Sequence, residues 1–166
     1  PLMKFTRRFK QSIEYEKAVF KSSSSTEIFL LNNKQAEDFK SVYQINPNKI
    51  TIIPPGIDLN WSDHEQIGIH NAFKIPSQDK VALFVGSDFS RKGLDRAISS
   101  VHFLNVNNIP FSLLVIGKDN FGPYSELVDK LGLNDKIKYL GPRDDVASIM
   151  KSSDLLLHPA REEAAG

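Results

Sequence analysis

The run Val85-Gly86-Ser87-Asp88-Phe89-Ser90-Arg91-Lys92-Gly93-Leu94 joins an apolar stretch to a helical pattern through a polar turn that carries two cations. Free backbone N–H groups at a helix start, the positive end of the helix dipole and the charges of Arg91 and Lys92 together suit a phosphate or another anionic leaving group. A solvated cation pair fits the same residues, although the dipole disfavours cations there unless an anion arrives. Three more junctions share the layout: Ile116-Gly117-Lys118-Asp119, Leu140-Gly141-Pro142-Arg143-Asp144-Asp145, and His158-Pro159-Ala160-Arg161-Glu162-Glu163-Ala164-Ala165-Gly166. Gly117 and Gly141 would let a ligand approach the backbone closely, or simply make tight turns. Glu163 sets an acceptor carboxylate beside Ala164, Ala165 and Gly166, whose backbone could meet a sugar. An exposed glutamate at a helix start accounts for it equally well.

Other chemistries are excluded by residue type or spacing. The nine glycines, at 56, 68, 86, 93, 117, 122, 132, 141 and 166, write neither a G-x-G-x-x-G fingerprint nor a P-loop. His64, His70, His102 and His158 never fall at H-x-x-x-H spacing, and the nearest carboxylate cluster, Asp63-His64-Glu65, lies in a weakly patterned stretch. No metal site is implied. The absence of cysteine removes disulfides, thiolate metal sites and a thiol nucleophile.

The elements that must position these junctions follow from hydrophobic periodicity. Apolar strand runs are expected at Val81 to Val85, Ser112 to Ile116, Lys138 to Leu140 and Asp154 to His158, the last read as buried. Between them lie helical stretches striped by Leu94, Ala97, Ile98 and Val101, by Leu127, Val128 and Leu131, and by Val146, Ile149 and Met150, the third capped by Asp144. Strands this apolar, joined by helices, predict a Rossmann-like parallel sheet covered on both faces, with the ligand beyond the carboxyl ends of the strands. Upstream, strands at Ile28 to Leu31 and Ile50 to Ile53 flank a helix over Lys34 to Tyr43, for which Asn32 and Asn33 are candidate caps. Pro54-Pro55-Gly56 marks a domain boundary. The division is therefore 1–56 as one part, 57–78 as a linker with at most a short helix, and 79–166 as a second part.

With 166 residues, 40% apolar and 25% charged, the composition is that of a folded chain, and no apolar run approaches the roughly 20 residues that cross a bilayer. A formal charge of +1 lacks the surplus of a nucleic-acid binder. The charge is uneven: residues 1–21 hold six basic and two acidic side chains, leaving −3 on the rest. Leu2, Phe5, Phe9, Ile13 and Phe20 recur there at helical spacing ahead of a four-serine turn. Such a basic helix can lie on an anionic membrane surface or pack against another part of the protein. Since the chain starts at Pro1 and stops just after a strand, a piece of a longer protein is expected.

Ile50-Thr51-Ile52-Ile53-Pro54-Pro55-Gly56-Ile57, the run from Val85 to Asp95, and Asp154-Leu155-Leu156-Leu157-His158-Pro159-Ala160 continuing to Glu163-Ala164-Ala165-Gly166 resemble family 4 of the retaining glycosyltransferases, of GT-B architecture. Within it they are most similar to the lipopolysaccharide core glucosyltransferase I group. The last block looks like the start of that family's Glu-x7-Glu motif, whose second glutamate would follow Gly166. The resemblance implies two Rossmann-like α/β domains, here the end of the acceptor-binding domain and the front of the nucleotide-sugar domain. It implies retaining transfer of a hexose, glucose from UDP-glucose, to a lipopolysaccharide core or related glycan or glycolipid acceptor, without a cofactor. A non-catalytic nucleotide-sugar module and an enzyme using another sugar nucleotide are the alternatives.

By position, the resemblance assigns Arg91 and Lys92 to the donor diphosphate and Glu163 to the sugar hydroxyls. Gly86, Ser87, Ala164, Ala165 and Gly166 would lie near the sugar or the β-phosphate, while Gly117 and Arg143 to Val146 would bracket base and ribose. Many relatives carry arginine where this chain has Ser87, which shifts phosphate charge onto Arg91 and Lys92. A cytoplasmic location, peripheral on the inner face of the inner membrane, is implied as well.

Overall fold

The computed structural model describes residues 7–56 and 64–162. Within it residues 7–56 and residues 64–162 belong to two compact units. In the first, α1 (Arg7–Phe20) precedes β1 (Ile28–Leu30), α2 (Asn33–Val42) and β2 (Ile50–Ile52). The two strands pair in parallel, Ile28 opposite Ile50 and Leu30 opposite Ile52, with α2 as the crossover. Asn32 is the helix cap: its side chain accepts the Gln35 N–H at 2.8 Å, and Asn33 is already helical. Ile28, Leu30 and Ala36 form the small core. Phe20 brings the end of α1 to it, with ring centroids 4.9 Å from Phe39 and 4.8 Å from Tyr43.

The second unit runs through α3 (Ile69–Phe73), β3 (Lys80–Val85), α4 (Phe89–Lys92), α5 (Leu94–Val106), β4 (Phe111–Ile116), α6 (Gly122–Lys130), β5 (Ile137–Gly141), α7 (Val146–Ser152) and β6 (Leu155–Leu156). All four strands are parallel, in the order β5-β4-β3-β6. The chain moves outward from β3 to β5 and then returns past β3 to β6. Because parallel crossovers are right-handed, this reversal puts α7 on the face opposite α5 and α6.

Strand pleating then divides the apolar residues. Ala82 and Phe84 join Leu113 and Val115 under the α5 stripe of Leu94, Ala97, Ile98 and Val101. Val81 and Leu83 join Leu114 and Ile116 on the other face, against Ile149 of α7. Ile69 and Ile75 are buried in that second layer, so residues 64–78, read as linker, carry α3 and part of the core.

Three sequence expectations change. The last strand is a short sheet edge, with Leu155 and Leu156 44% and 46% exposed, rather than a buried strand. Asp145, not Asp144, stands at the start of α7, and its carboxylate makes no cap because Arg143 holds it. The polar turn after β3 itself contains a single-turn helix, α4, set off from α5 by Gly93, whose φ of +76° is costly for a side-chain-bearing residue. Among the described residues no helix is long and apolar enough to cross a membrane.

Candidate functional site

The carboxyl ends of β3, β4 and β5 open on a cleft of about 180 Å³ whose lining includes Gly86, Ser87, Gly117, Lys118 and Arg143. Four residues chosen from strand-end logic thus meet in one place, as the geometry of open parallel sheets requires. Lys118 was not among them. Its signal was its position one residue beyond the β4 glycine, and it has no hydrogen-bond or ion-pair partner among the described residues.

The turn after β3 is built by carboxylates. Asp88 adopts the left-handed conformation, φ 59° and ψ 63°, and Oδ1 accepts the Arg91 N–H at 3.3 Å. Asp119, from the loop after β4, accepts the Phe89 N–H at 2.9 Å. These acceptors occupy N–H groups that were expected to be free for an anion. Arg91 and Lys92 are the last two residues of the single-turn α4, where the dipole favours cations, and not the first residues of a longer helix. The aliphatic stem of Lys92 lies across Gly86, its Cγ 3.3 Å from the point where a Cβ would stand, which sets Lys92 at the margin of the cleft.

Arg91 is tied on two sides. Its Nε donates to Asp88 Oδ2 at 3.1 Å and its Nη1 to the Glu162 carbonyl at 2.9 Å. The segment after β6 is joined to α4 and α5 a second time through Arg161, whose guanidinium grips both Asp95 oxygens at 2.9 and 2.7 Å. That hydrogen-bonded pair holds the Asp95 carboxyl below the usual carboxylate range.

On the β5 side Arg143 forks onto Asp145 at 2.7 and 2.6 Å, and its guanidinium stands 5.9 Å from the Phe73 ring centre. The pairing lowers the Asp145 pKa and raises that of Arg143. Val146 packs against the α3/α7 core and does not line the cleft. Tyr139 stacks on Phe121 at 4.8 Å, and its hydroxyl lies 3.0 Å from the Gly117 carbonyl and 3.1 Å from that of Asp119, pinning the β4 loop. Glu163, Ala164, Ala165 and Gly166 lie outside the described residues. The cleft therefore offers backbone at two glycines, the Lys118 cation, unpaired among the described residues, and a second cation, Lys92, at its margin, a set suited to an anionic ligand.

The family model described as "Glycosyl transferases group 1" matches residues 65–166. The lipopolysaccharide glucosyltransferase WaaG of Escherichia coli K12 is 37% identical over 99% of this chain, which covers 46% of that protein. A crystal structure of WaaG, described as involved in lipopolysaccharide biosynthesis, superposes with a TM-score of 0.85 at 36% identity, covering 100% of this chain and 46% of the other. Anabaena Alr3699/HepE in complex with UDP-glucose shares the fold, with a TM-score of 0.73 at 15% identity, covering 99% of this chain and 45% of the other. The chain thus spans about half the length of the relatives it matches.

Proposed function

The chain belongs to the group 1 glycosyl transferases, and from that premise we propose that the complete protein transfers glucose from UDP-glucose, with retention, to a lipopolysaccharide core or related glycan acceptor. The observation that carries this reading is the meeting of Gly86, Ser87, Gly117, Lys118 and Arg143 in one cleft at the strand ends. It is supported by 37% identity, over nearly the whole chain, to a lipopolysaccharide glucosyltransferase.

In this reading the departing nucleoside diphosphate gains negative charge as the glycosidic bond breaks. Lys92 and Lys118 face that charge as it develops, and a preorganised cation stabilises the transition state more than the ground state. Arg91 holds the turn in shape through Asp88 and Glu162 while adding its own field. Glu163 binds the sugar hydroxyls, with Ala164, Ala165 and Gly166 beside it. Arg143, oriented by Asp145, borders the base and ribose. The side chains named meet the charge of the reaction, so no cofactor is assigned.

The test is to incubate the complete protein with lipopolysaccharide core acceptor and, in parallel, UDP-glucose, UDP-galactose, UDP-N-acetylglucosamine, GDP-glucose and ADP-glucose. Glucose transfer from UDP-glucose with an α linkage in the product, read by NMR, is expected. Binding of UDP-glucose without transfer would make the protein a sugar-nucleotide module, and transfer from another donor would correct the substrate.

Location at the cytoplasmic face of the inner membrane belongs to the same reading. Its support is α1, which buries no residue, exposes Tyr15 at 71% and carries Arg7, Arg8, Lys10 and Lys17. Co-sedimentation with anionic but not neutral vesicles, lost when residues 1–21 are removed, is the expected result.

A further inference from the structure

The segment that leads from β6 into Glu163 is fastened to the cation-bearing turn at several points. The Arg161 N–H donates to the Arg91 carbonyl at 2.8 Å, and Arg161 Nη1 donates to the Ser90 carbonyl at 2.6 Å. The same guanidinium takes Asp95, in the first turn of α5, through two parallel bonds at 2.9 and 2.7 Å. Arg91 returns the connection through the Glu162 carbonyl at 2.9 Å, and Arg96 Nη1 reaches the Pro159 carbonyl at 3.3 Å. Below them the Pro159 carbonyl fills the space a side chain on residue 93 would need.

An exposed ion pair in isolation contributes little to stability. Here the pair closes a ring of hydrogen bonds around residues that bracket the proposed leaving group, and one side chain serves both ends of it. From this geometry we infer that Arg161 is a positioning residue: through Asp95 and the Ser90 carbonyl it holds the backbone ahead of Glu163 in register with Arg91 and Lys92. The inference rests on the glucosyl-transfer reading above, in which Glu163 meets the sugar. Arg161 itself touches neither sugar nor phosphate. A planar fork that bonds Asp95 with two nitrogens while also reaching a carbonyl is a task lysine cannot reproduce in full. Misplacing a sugar-binding carboxylate by a fraction of an ångström lowers turnover without disturbing nucleotide contacts made elsewhere in the cleft.

The experiment compares Arg161→Ala, Arg161→Lys, Asp95→Asn and the Arg161→Ala/Asp95→Asn double variant in the complete protein, reading kcat, donor KM, UDP affinity by calorimetry, and Tm. Arg161→Ala is expected to lower kcat by about tenfold, the size of a lost orientation contact, while the UDP Kd stays within about twofold. Arg161→Lys should fall between the two, and the double variant should be no worse than Arg161→Ala alone, because both substitutions break one connection. Arg161→Ala with kcat within twofold of the unsubstituted protein overturns the inference. So does a UDP Kd that worsens by the same factor as kcat, which would mark general distortion. Absence of transfer by the unsubstituted protein overturns the glucosyl-transfer reading itself, a result separable from either.

Discussion

The carbonyl oxygen of Gly86 occupies the space that a Cβ on residue 117 would need. Both glycines lie one residue beyond paired strands, Val85 opposite Ile116, and the Gly86 N–H donates to the Ile116 carbonyl at 3.0 Å. A built Cβ would also come within 2.7 Å of the buried Phe89 ring. Gly117 is therefore required by the approach of two strand ends, whatever the cleft binds. Gly117→Ala should destabilise the fold by about 2–3 kcal/mol, the range for overpacking against groups that cannot move. At Gly86 the obstructing atom belongs to the flexible Lys92 side chain, so Gly86→Ala should cost under about 1 kcal/mol. Urea unfolding of both variants checks the contrast, and equal losses would mean that backbone approach is not what sets the cost.

Lys92 and Lys118 are expected to divide the anion's charge unequally. Lys92 lies over Gly86 beside the turn that resembles the family's phosphate segment, whereas Lys118 reaches the cleft from the β4 loop. Lys92→Ala should lower kcat/KM by at least about tenfold, or roughly 1.4 kcal/mol of transition-state stabilisation. Lys118→Ala should lower kcat/KM by about threefold, less than Lys92→Ala, because Lys118 reaches the cleft from the β4 loop and not from the turn that carries the phosphate segment. Steady-state kinetics with varied donor separates the two, and an unchanged kcat/KM for Lys92→Ala would remove that residue from the reaction.

Much of the sheet could be read from the chain because β3 and β4 are apolar on both faces and have few other ways to be buried. Leu94, Ala97, Ile98 and Val101 were legible as a stripe for the same reason. The single turn α4 was not, since Val85 to Leu94 reads as a polar turn at the entry to a helix, and the left-handed Asp88 and Gly93 that bound α4 leave no periodic signal in so short a run. Of the site, Gly86, Ser87, Gly117 and Arg143 followed from the strand-end rule. Val146, on the first turn of α7, packs against the α3/α7 core and not in the cleft lining, as an apolar residue at that position serves the core first. The Arg161 connections join residues 66 to 71 positions apart, and no local pattern announces a pairing at that distance.

A buried ion pair at the opposite end of the sheet escaped notice for that reason too. The Asp79 side chain is fully enclosed, accepting from the Ser112 hydroxyl at 2.6 Å and from Lys136 Nζ at 2.9 and 2.7 Å. Removing the ammonium leaves a carboxylate without its charge partner inside the protein, which costs several kcal/mol when burial is complete. Lys136 is one quarter exposed, so water can replace part of the loss. Lys136→Met should cost about 2 kcal/mol and Ser112→Ala about 1 kcal/mol in urea unfolding. Neither should change donor KM, because these groups sit at the amino ends of the strands, away from the cleft.

Acid should remove a defined part of the stability at Asp154. Its Oδ1 accepts from Lys80 Nζ at 2.8 Å and its Oδ2 from the Val81 N–H at 2.8 Å. The Lys80 hydrogen bond first, and the Val81 N–H second, hold the carboxyl below the usual carboxylate range, against a smaller opposing effect of burial. A pKa lower in the folded state means that the unfolded chain binds the proton more readily. The contribution is thus fully present above the unfolded value of about 3.9 and is lost as pH falls through the folded one. Asp154 is one third exposed and Lys80 two thirds, so solvent limits the contribution to about 1 kcal/mol or less. Asp154→Asn should therefore be less stable than the unsubstituted protein at pH 7. The gap should close between about pH 4 and pH 2, as the native carboxyl is itself neutralised. Urea unfolding at a series of pH values reads this directly, and a gap of constant size down to pH 2 would show that the Lys80 and Val81 contacts do not depend on the charge of Asp154.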